Sequence, residues 1–161
     1  MRSTTYSETQ KMDTIWPLAL MALTLVFNWF IYFRQGHEDL DFLYASTGTV
    51  GLVCLLLLVL RLKLEIDGKS IQYRFYPFHF SWQTINWSDV ASAEVRKYKP
   101  LSEYGGWGLR VGFKGKAYTV SGNKGLQLHL KNGKKVLFGT GQPDALASFL
   151  KEAGIDATIS L

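Results

Sequence analysis

The side chains that could carry chemistry are few and widely spaced. The single cysteine is Cys54, and the three histidines are His37, His79 and His129. No two histidines stand at an HxH or HxxxH spacing, and one thiol can form neither a disulfide nor a thiolate metal site within this chain. The sequence therefore predicts no metal and no cofactor.

An enzyme would need a nucleophile beside a base, or paired carboxylates in apolar surroundings. The acids nearest to predicted turns and strand ends are Glu65, Asp67, Asp89 and Glu103, and none has an evident catalytic partner. We interpret these acids as structural. The prediction is a protein that is not an enzyme, with no catalytic residue, and a small membrane-bound enzyme is the remote alternative.

Basic residues form the more informative set. From Arg61 to the end, fifteen Lys and Arg face eight Asp and Glu. Near a membrane, each well-placed cation contributes about 1 kcal/mol to the free energy of binding to anionic lipid. The possible anionic-surface contact consists of Arg96, Lys97, Lys99, Lys114 and Lys116. The alternative is an ordinary solvated basic surface. No nucleic-acid partner is predicted, because the spacing of these residues matches no known reader motif.

Two apolar runs determine where such residues would work. The second run, Phe42 to Leu60, has no charged residue between Asp41 and Arg61 and is about long enough to cross a bilayer as one helix. The first lies just upstream, between Asp13 and Arg34. We predict a transmembrane helical hairpin over residues 14–61, with spans at about 14–34 and 42–61, preceded by a flexible cytoplasmic tail over residues 1–13.

The distribution of Lys and Arg predicts the orientation. Arg2 and Lys11 precede the first span, and Arg61 and Lys63 follow the second, whereas the short connection between them carries only Arg34. Since cytoplasmic flanks carry the excess of Lys and Arg, both termini should be cytoplasmic. The predicted location is the bacterial inner (cytoplasmic) membrane, with two passes and the lipid bilayer as an integral partner.

After Arg61 the hydrophobic period changes from helical to alternating. Residues 62–66 and 71–75 alternate around the turn at Asp67 and Gly68, and Asn132-Gly133 is a strong hairpin signal. In all, the pattern predicts seven antiparallel strands. A helix opens at Pro143 and places apolar residues on one face. The expected α+β domain, over residues 62–155, is a partly open barrel capped by this C-terminal helix, with a tail at 156–161.

An aromatic connection interrupts the strand pattern around Pro77. It contains Phe78, Phe80 and Trp82. Exposed aromatic rings at this point would lie near the bilayer and form a docking surface. The alternative is that they pack beneath the barrel.

The stretches Ile85–Val90, Tyr104–Arg110 and Thr140–Leu146, together with the strand count and the closing helix, resemble bacterial membrane-anchored pleckstrin-homology-like (PH-like) domains. The resemblance implies a seven-stranded, helix-capped PH-like fold that interacts or scaffolds near a membrane. Phosphoinositide-binding members carry several basic residues in the loop between the first two strands. That loop is only Asp67, Gly68 and Lys69 here, so the headgroup site is not implied.

The predicted function is a membrane-anchored, non-catalytic interaction or scaffolding module that presents its PH-like domain to the cytoplasm. Its expected partner is another protein or a second copy of this chain, in a homo-oligomer. The alternative within the binding class is recognition of anionic lipid headgroups by the basic domain.

Overall fold

The computed structural model describes residues 5–12, 15–34, 40–112 and 115–161. The chain divides into two compact units, one made of residues 1–11 and 60–161 and the other of residues 12–59. The first unit is rich in β-strands. The second unit is helical.

The helical unit contains α1 (Ile15–Arg34) and α2 (Leu40–Val59), which contact each other. Most of their large apolar side chains are nevertheless exposed, among them Trp16, Leu23 and Leu52. Of the helices described, only α2 is long and apolar enough to cross a membrane, and 11% of its apolar window is buried. The apolar part of α1, Leu18–Arg34, is shorter.

The described residues of the β-rich unit form ten strands, two α-helices and a short 3-10 helix at Trp87–Asp89. The strands are β1 (Tyr6–Lys11), β2 (Arg61–Ile66), β3 (Ser70–Tyr76), β4 (Gln83–Asn86), β5 (Val90–Lys97), β6 (Gly108–Gly112), β7 (Gly115–Thr119), β8 (Lys124–Leu130), β9 (Lys135–Gly139) and β10 (Ala157–Ser160). The helices are α3 (Pro100–Tyr104) and α4 (Pro143–Glu152).

The first sheet has the order β1-β2-β3-β4 and is antiparallel throughout. Alternation places Leu62, Leu64 and Ile66 of β2 in the core. At the β2–β3 turn the Asp67 carboxylate accepts hydrogen bonds from the backbone N–H groups of Lys69 and Ser70, each at 2.7 Å. These bonds lower the pKa of Asp67 and fix the predicted hairpin.

The second sheet has the order β10-β5-β8-β9-β7-β6. Most of its pairs are antiparallel, but β10 runs parallel to β5 and β7 runs parallel to β9. One face contacts the first sheet through Tyr73, whose ring lies 4.7 Å from Phe138 and 4.9 Å from Tyr118. The opposite face packs Leu137 and Ala117 against Tyr98 and other buried residues. Both faces of β8 and β9 are therefore largely buried.

The predicted fold class is wrong. The described strands form two sheets of four and six strands, not one seven-stranded barrel. The helical pair does not precede a separate domain, because β1 lies before α1 and completes the same sheet as β2. Only one described helix meets the criteria for a membrane span, so the two-helix transmembrane hairpin is not supported as predicted.

Several local predictions are confirmed. The β2–β3 hairpin pairs as expected, the Asn132-Gly133 turn joins antiparallel β8 and β9, and the helix that begins at Pro143 is α4. The terminal predictions are wrong, since residues 6–11 and 157–160 are strands rather than tails. The remainder of the predicted N-terminal tail, residues 1–4, lies outside the described residues.

Candidate functional site: basic surfaces and the aromatic loop

The predicted basic residues do not form one patch. Lys97 pairs with Lys124 at one end of the β5–β8 pair, whereas Lys116 pairs with Val136 on the far side of β9. Through the register, Lys116 lies three strands across and four residues along from Lys97, which is roughly 20 Å at ordinary strand spacings. Lys114 lies outside the described residues. The five residues proposed from the sequence therefore belong to at least two separate surfaces.

Arg96 has a structural role within the first of these surfaces. Its guanidinium donates to Glu103 at 2.9 Å and to the Gln127 side-chain oxygen at 3.1 Å, and only 20% of its side chain is exposed. Burial lowers the pKa of Arg96, but the hydrogen bond and charge of Glu103 outweigh that effect and leave the pKa raised. Arg96 thus connects α3 to the second sheet, and its charge is already paired with that of Glu103.

Two shallow cavities border the remaining lysines. Lys97 and Lys99 border a cavity of about 510 Å³ whose other lining residues include Leu101 and Trp107. Lys116 borders a second cavity of about 500 Å³, which also takes in Lys134, Lys135, Tyr73 and Ile85. Each cavity combines cations with an apolar wall. Contact of Lys97, Lys99 and Lys116 with an anionic surface stays a prediction.

The aromatic connection that follows Tyr76, residues 77–82, is exposed and is hereafter named the aromatic loop. Phe80 is 78% exposed, Phe78 is 58% exposed and Trp82 is 37% exposed. Phe80 and Phe78 are thus mostly exposed, whereas most of Trp82 is covered. Their role as docking residues stays a prediction.

Ring contacts within the aromatic loop give it a defined shape. Phe80 lies edge-on to Tyr76 with ring centroids 5.9 Å apart, and Phe78 stacks on buried Phe75 at the same distance. The Arg74 guanidinium lies 5.9 Å from the Trp82 ring, within range of a cation–π interaction. The loop therefore presents rings and a cation together.

The end of the first sheet that carries the aromatic loop also carries both connections to the helical segment. Lys11 of β1 pairs with Arg61 of β2, and Arg61 pairs with Tyr76 of β3. The chain leaves the sheet after Lys11, returns to it at Arg61, and enters the loop after Tyr76. These three residues lie side by side at one end of the strands, and Lys11 and Tyr76 are about 10 Å apart at ordinary strand spacing.

No protein-family model matches the chain. No curated protein sequence is significantly similar to it. The resemblance to membrane-anchored PH-like proteins accordingly stays a prediction, and the barrel expected from it is not the fold observed.

Within the aromatic loop, His79 lies among rings rather than acids. Its ring is 5.5 Å from Tyr118 and 5.8 Å from Tyr73, and its buried Nδ1 has no hydrogen-bond partner among the described residues. Burial lowers the pKa of His79, and the charge of Lys116 lowers it further. Burial also raises the pKa of Tyr118, with a contribution from its hydrogen bond with Tyr73. His79 and Tyr118 therefore remain neutral near pH 7.

Glu8 is the polar residue that the sequence did not single out. Its buried carboxylate accepts hydrogen bonds from the Tyr6 hydroxyl at 2.6 Å, the Thr140 hydroxyl at 2.7 Å and the Gly141 backbone N–H at 2.7 Å. Burial and this hydrogen bond with Glu8 raise the pKa of Tyr6. The cluster fastens β1 to the connection between β9 and α4. Within the described residues, no three His, Cys, Asp or Glu side chains group closely enough to hold a metal ion.

Proposed function

We propose that this protein is a membrane-anchored, non-catalytic interaction module. Its anchor is the helical segment of residues 15–59, and its working part is the β-rich unit. The observation that carries the proposal is the exposure of α2, an apolar helix of 20 residues of which only 11% of the apolar window is buried. A core helix of a water-soluble protein would bury that surface, so α2 needs another apolar environment.

The connections to the helical segment leave β1 at Lys11 and return to β2 at Arg61. Because these two residues are neighbours in one sheet, both connections lie on the same side of the bilayer. Lys11, Arg61 and Lys63 beside these connections favour the cytoplasmic side of a bacterial inner membrane for the β-rich unit.

Protein interaction is the role proposed for the β-rich unit, either with a partner protein or with a second copy of the chain. Leu101 and Val111 support it, since they are 72% and 74% exposed and each lies on or beside a cavity bordered by lysines. Recognition of anionic lipid headgroups is the second candidate, favoured by the grouping of Lys116, Lys134 and Lys135 around one cavity. Lipid recognition would weaken steeply with added salt, whereas apolar docking would not.

Fractionation of cells that express the full chain tests the anchor. We expect the protein to remain with membranes in alkaline carbonate and to dissolve only with detergent. Val53→Arg, in the middle of α2, should lower the membrane-bound fraction, since a central arginine costs about 2.5–3.5 kcal/mol on insertion scales. Ile159→Arg, in the exposed edge strand β10, is the matched control and should leave that fraction unchanged. A chain that is freely soluble without detergent would overturn the proposal.

Covalent crosslinking in native membranes tests the interaction. A photo-crosslinker at Leu101 or Val111 should give a specific adduct, and the same group at Lys69, in the β2–β3 turn, should give none. Adducts of dimer mass would identify a homo-oligomer. The absence of any adduct at either apolar position, combined with salt-sensitive binding of the full chain to anionic vesicles, would favour lipid recognition instead.

A further inference from the structure

We infer that the aromatic loop is a second membrane contact, which rests in the headgroup region of the bilayer that holds the helical segment. This inference depends on the proposed membrane anchor and adds to it the orientation of the β-rich unit. The ligand is the lipid–water interface itself. The contacting rings are Phe78, Phe80 and Trp82.

Strand register is the first argument. Residues Lys11, Arg61 and Tyr76 form one row across β1, β2 and β3, and the aromatic loop begins immediately after the last of them. Two of these residues are the points where the chain leaves for α1 and returns from α2. If the helical segment is embedded, the end of the sheet that carries the loop must lie close to the membrane surface, because only Met12–Thr14 and Leu60 separate the strands from the helices.

The chemistry of the loop is the second argument. Aromatic rings are enriched at the headgroup level, where an apolar ring and a polar or cationic neighbour are both accommodated. Phe80 and Phe78 expose more than half of their surface, and Trp82 carries the Arg74 guanidinium over its ring. The row beside the loop adds Lys11 and Arg61, both exposed cations. Such a combination matches an anionic membrane surface in both its apolar and its charged components.

The opposite end of the same sheet supplies a contrast. The β2–β3 turn, Asp67–Lys69, is polar and lies one strand length away, about 20 Å for six residues. No large apolar side chain is exposed within that turn. The two ends of the sheet therefore differ in the way expected if one end faces lipid and the other faces water.

Site-directed spin labelling of the full chain tests the inference. In a Cys54→Ser background, single cysteines are introduced as Phe80→Cys in the loop, Lys69→Cys in the opposite turn and Leu52→Cys on the exposed face of α2. Each labelled protein is reconstituted in vesicles of phosphatidylethanolamine and phosphatidylglycerol. Accessibility to oxygen, which concentrates in lipid, is compared with accessibility to a water-soluble nickel chelate.

We expect the ratio of oxygen to nickel accessibility to be several-fold higher at Phe80 than at Lys69, and highest at Leu52. A Phe80 ratio equal to that of Lys69, with Leu52 still in lipid, would overturn this inference and leave the membrane anchor standing. A Leu52 label in water would overturn the anchor itself. Protection of Phe80 from both reagents would mean that protein covers the loop, which also overturns the inference.

A second pair of variants guards against a label that disturbs the loop. Phe80→Asp should raise nickel accessibility at a label on Ser81→Cys, because a charged side chain withdraws the loop from lipid. Phe80→Trp should leave it unchanged. Equal accessibility in both variants would contradict a membrane contact.

Discussion

Removal of a single hydroxyl should loosen the attachment of β1. Thr140→Val keeps the shape of the side chain but removes the hydroxyl, which donates to Glu8 at 2.7 Å and accepts from the backbone N–H of Gln142 at 3.0 Å. A hydrogen bond to a charged, buried group contributes about 1.5–3 kcal/mol. Because the Glu8 carboxylate keeps its bonds from Tyr6 and Gly141, we expect a loss within that range rather than collapse of the β-rich unit.

Urea unfolding of the full chain in detergent micelles, followed by pulse proteolysis, measures this loss. With a slope near 2 kcal/mol per M, the midpoint should fall by about 1 M. Thr9→Val is the matched control, since Thr9 is an exposed threonine on β1 itself and should change stability by less than about 0.5 kcal/mol.

A double-mutant cycle makes the reasoning refutable. Glu8→Gln combined with Thr140→Val should cost less than the sum of the two single changes, by about 0.5–3 kcal/mol, because the amide weakens the same hydrogen bond that Thr140→Val removes. Additive costs, or a Thr140→Val midpoint equal to that of Thr9→Val, would refute the view that this carboxylate holds β1 in place.

Two further predictions concern the candidate surfaces. The pKa of His79 is lowered in the folded chain, so the unfolded chain binds the extra proton, and the free energy of unfolding should be highest above about pH 7 and decline as pH falls through about 6.5. In His79→Phe, the urea midpoints at about pH 7.5 and about pH 5.5 should differ less than in the parent protein. An unchanged difference between the two midpoints would contradict this assignment. Arg96→Met should cost about 1–3 kcal/mol in the same unfolding assay, because Glu103 and Gln127 each lose the guanidinium as one of their donors. Lys97→Met on the same strand should cost less than about 0.5 kcal/mol, and equal costs would show that Arg96 is an ordinary surface cation.

Local chemistry explains what the sequence predicted well. Asp67 and Asn132 specify tight turns through side-chain hydrogen bonds from nearby backbone N–H groups. In the second of these turns Gly133 also adopts a positive φ of +81°. The alternating apolar residues beside those turns then fix which face is buried. Such signals lie within a few residues of each other, so the β2–β3 and β8–β9 hairpins follow directly.

Strand β1 could not be predicted in this way because its inward side chains are polar. Tyr6, Glu8 and Gln10 alternate toward the interior, yet two of the three are residues that normally face water. Their burial is tolerated because their partners, Thr140, Gly139 and Gly141, come from the far end of the chain. A pattern read along residues 6–11 contains none of that information.

Non-local pairing also explains the incorrect barrel and the divided basic patch. Strand β7 pairs in parallel with β9, and β5 pairs with β8 across three intervening elements. From the sequence alone, strands joined by short turns are expected to pair with the strands next to them in the chain. The separation of Lys97 from Lys116 follows from the actual order, as does the division into two sheets.

The bond between Thr140 and Glu8 joins residues 132 positions apart. Strands β1 and β2 are both synthesised well before Thr140 and Gly141, so the first sheet can pair while the Glu8 carboxylate still lacks its donors from the β9–α4 connection. By then α1 and α2 are also complete and already have the chance to enter lipid. The contacts of Glu8 would thus form late in biogenesis, and a chain cut short before Thr140 would keep its apolar helices and its first sheet but lack those donors.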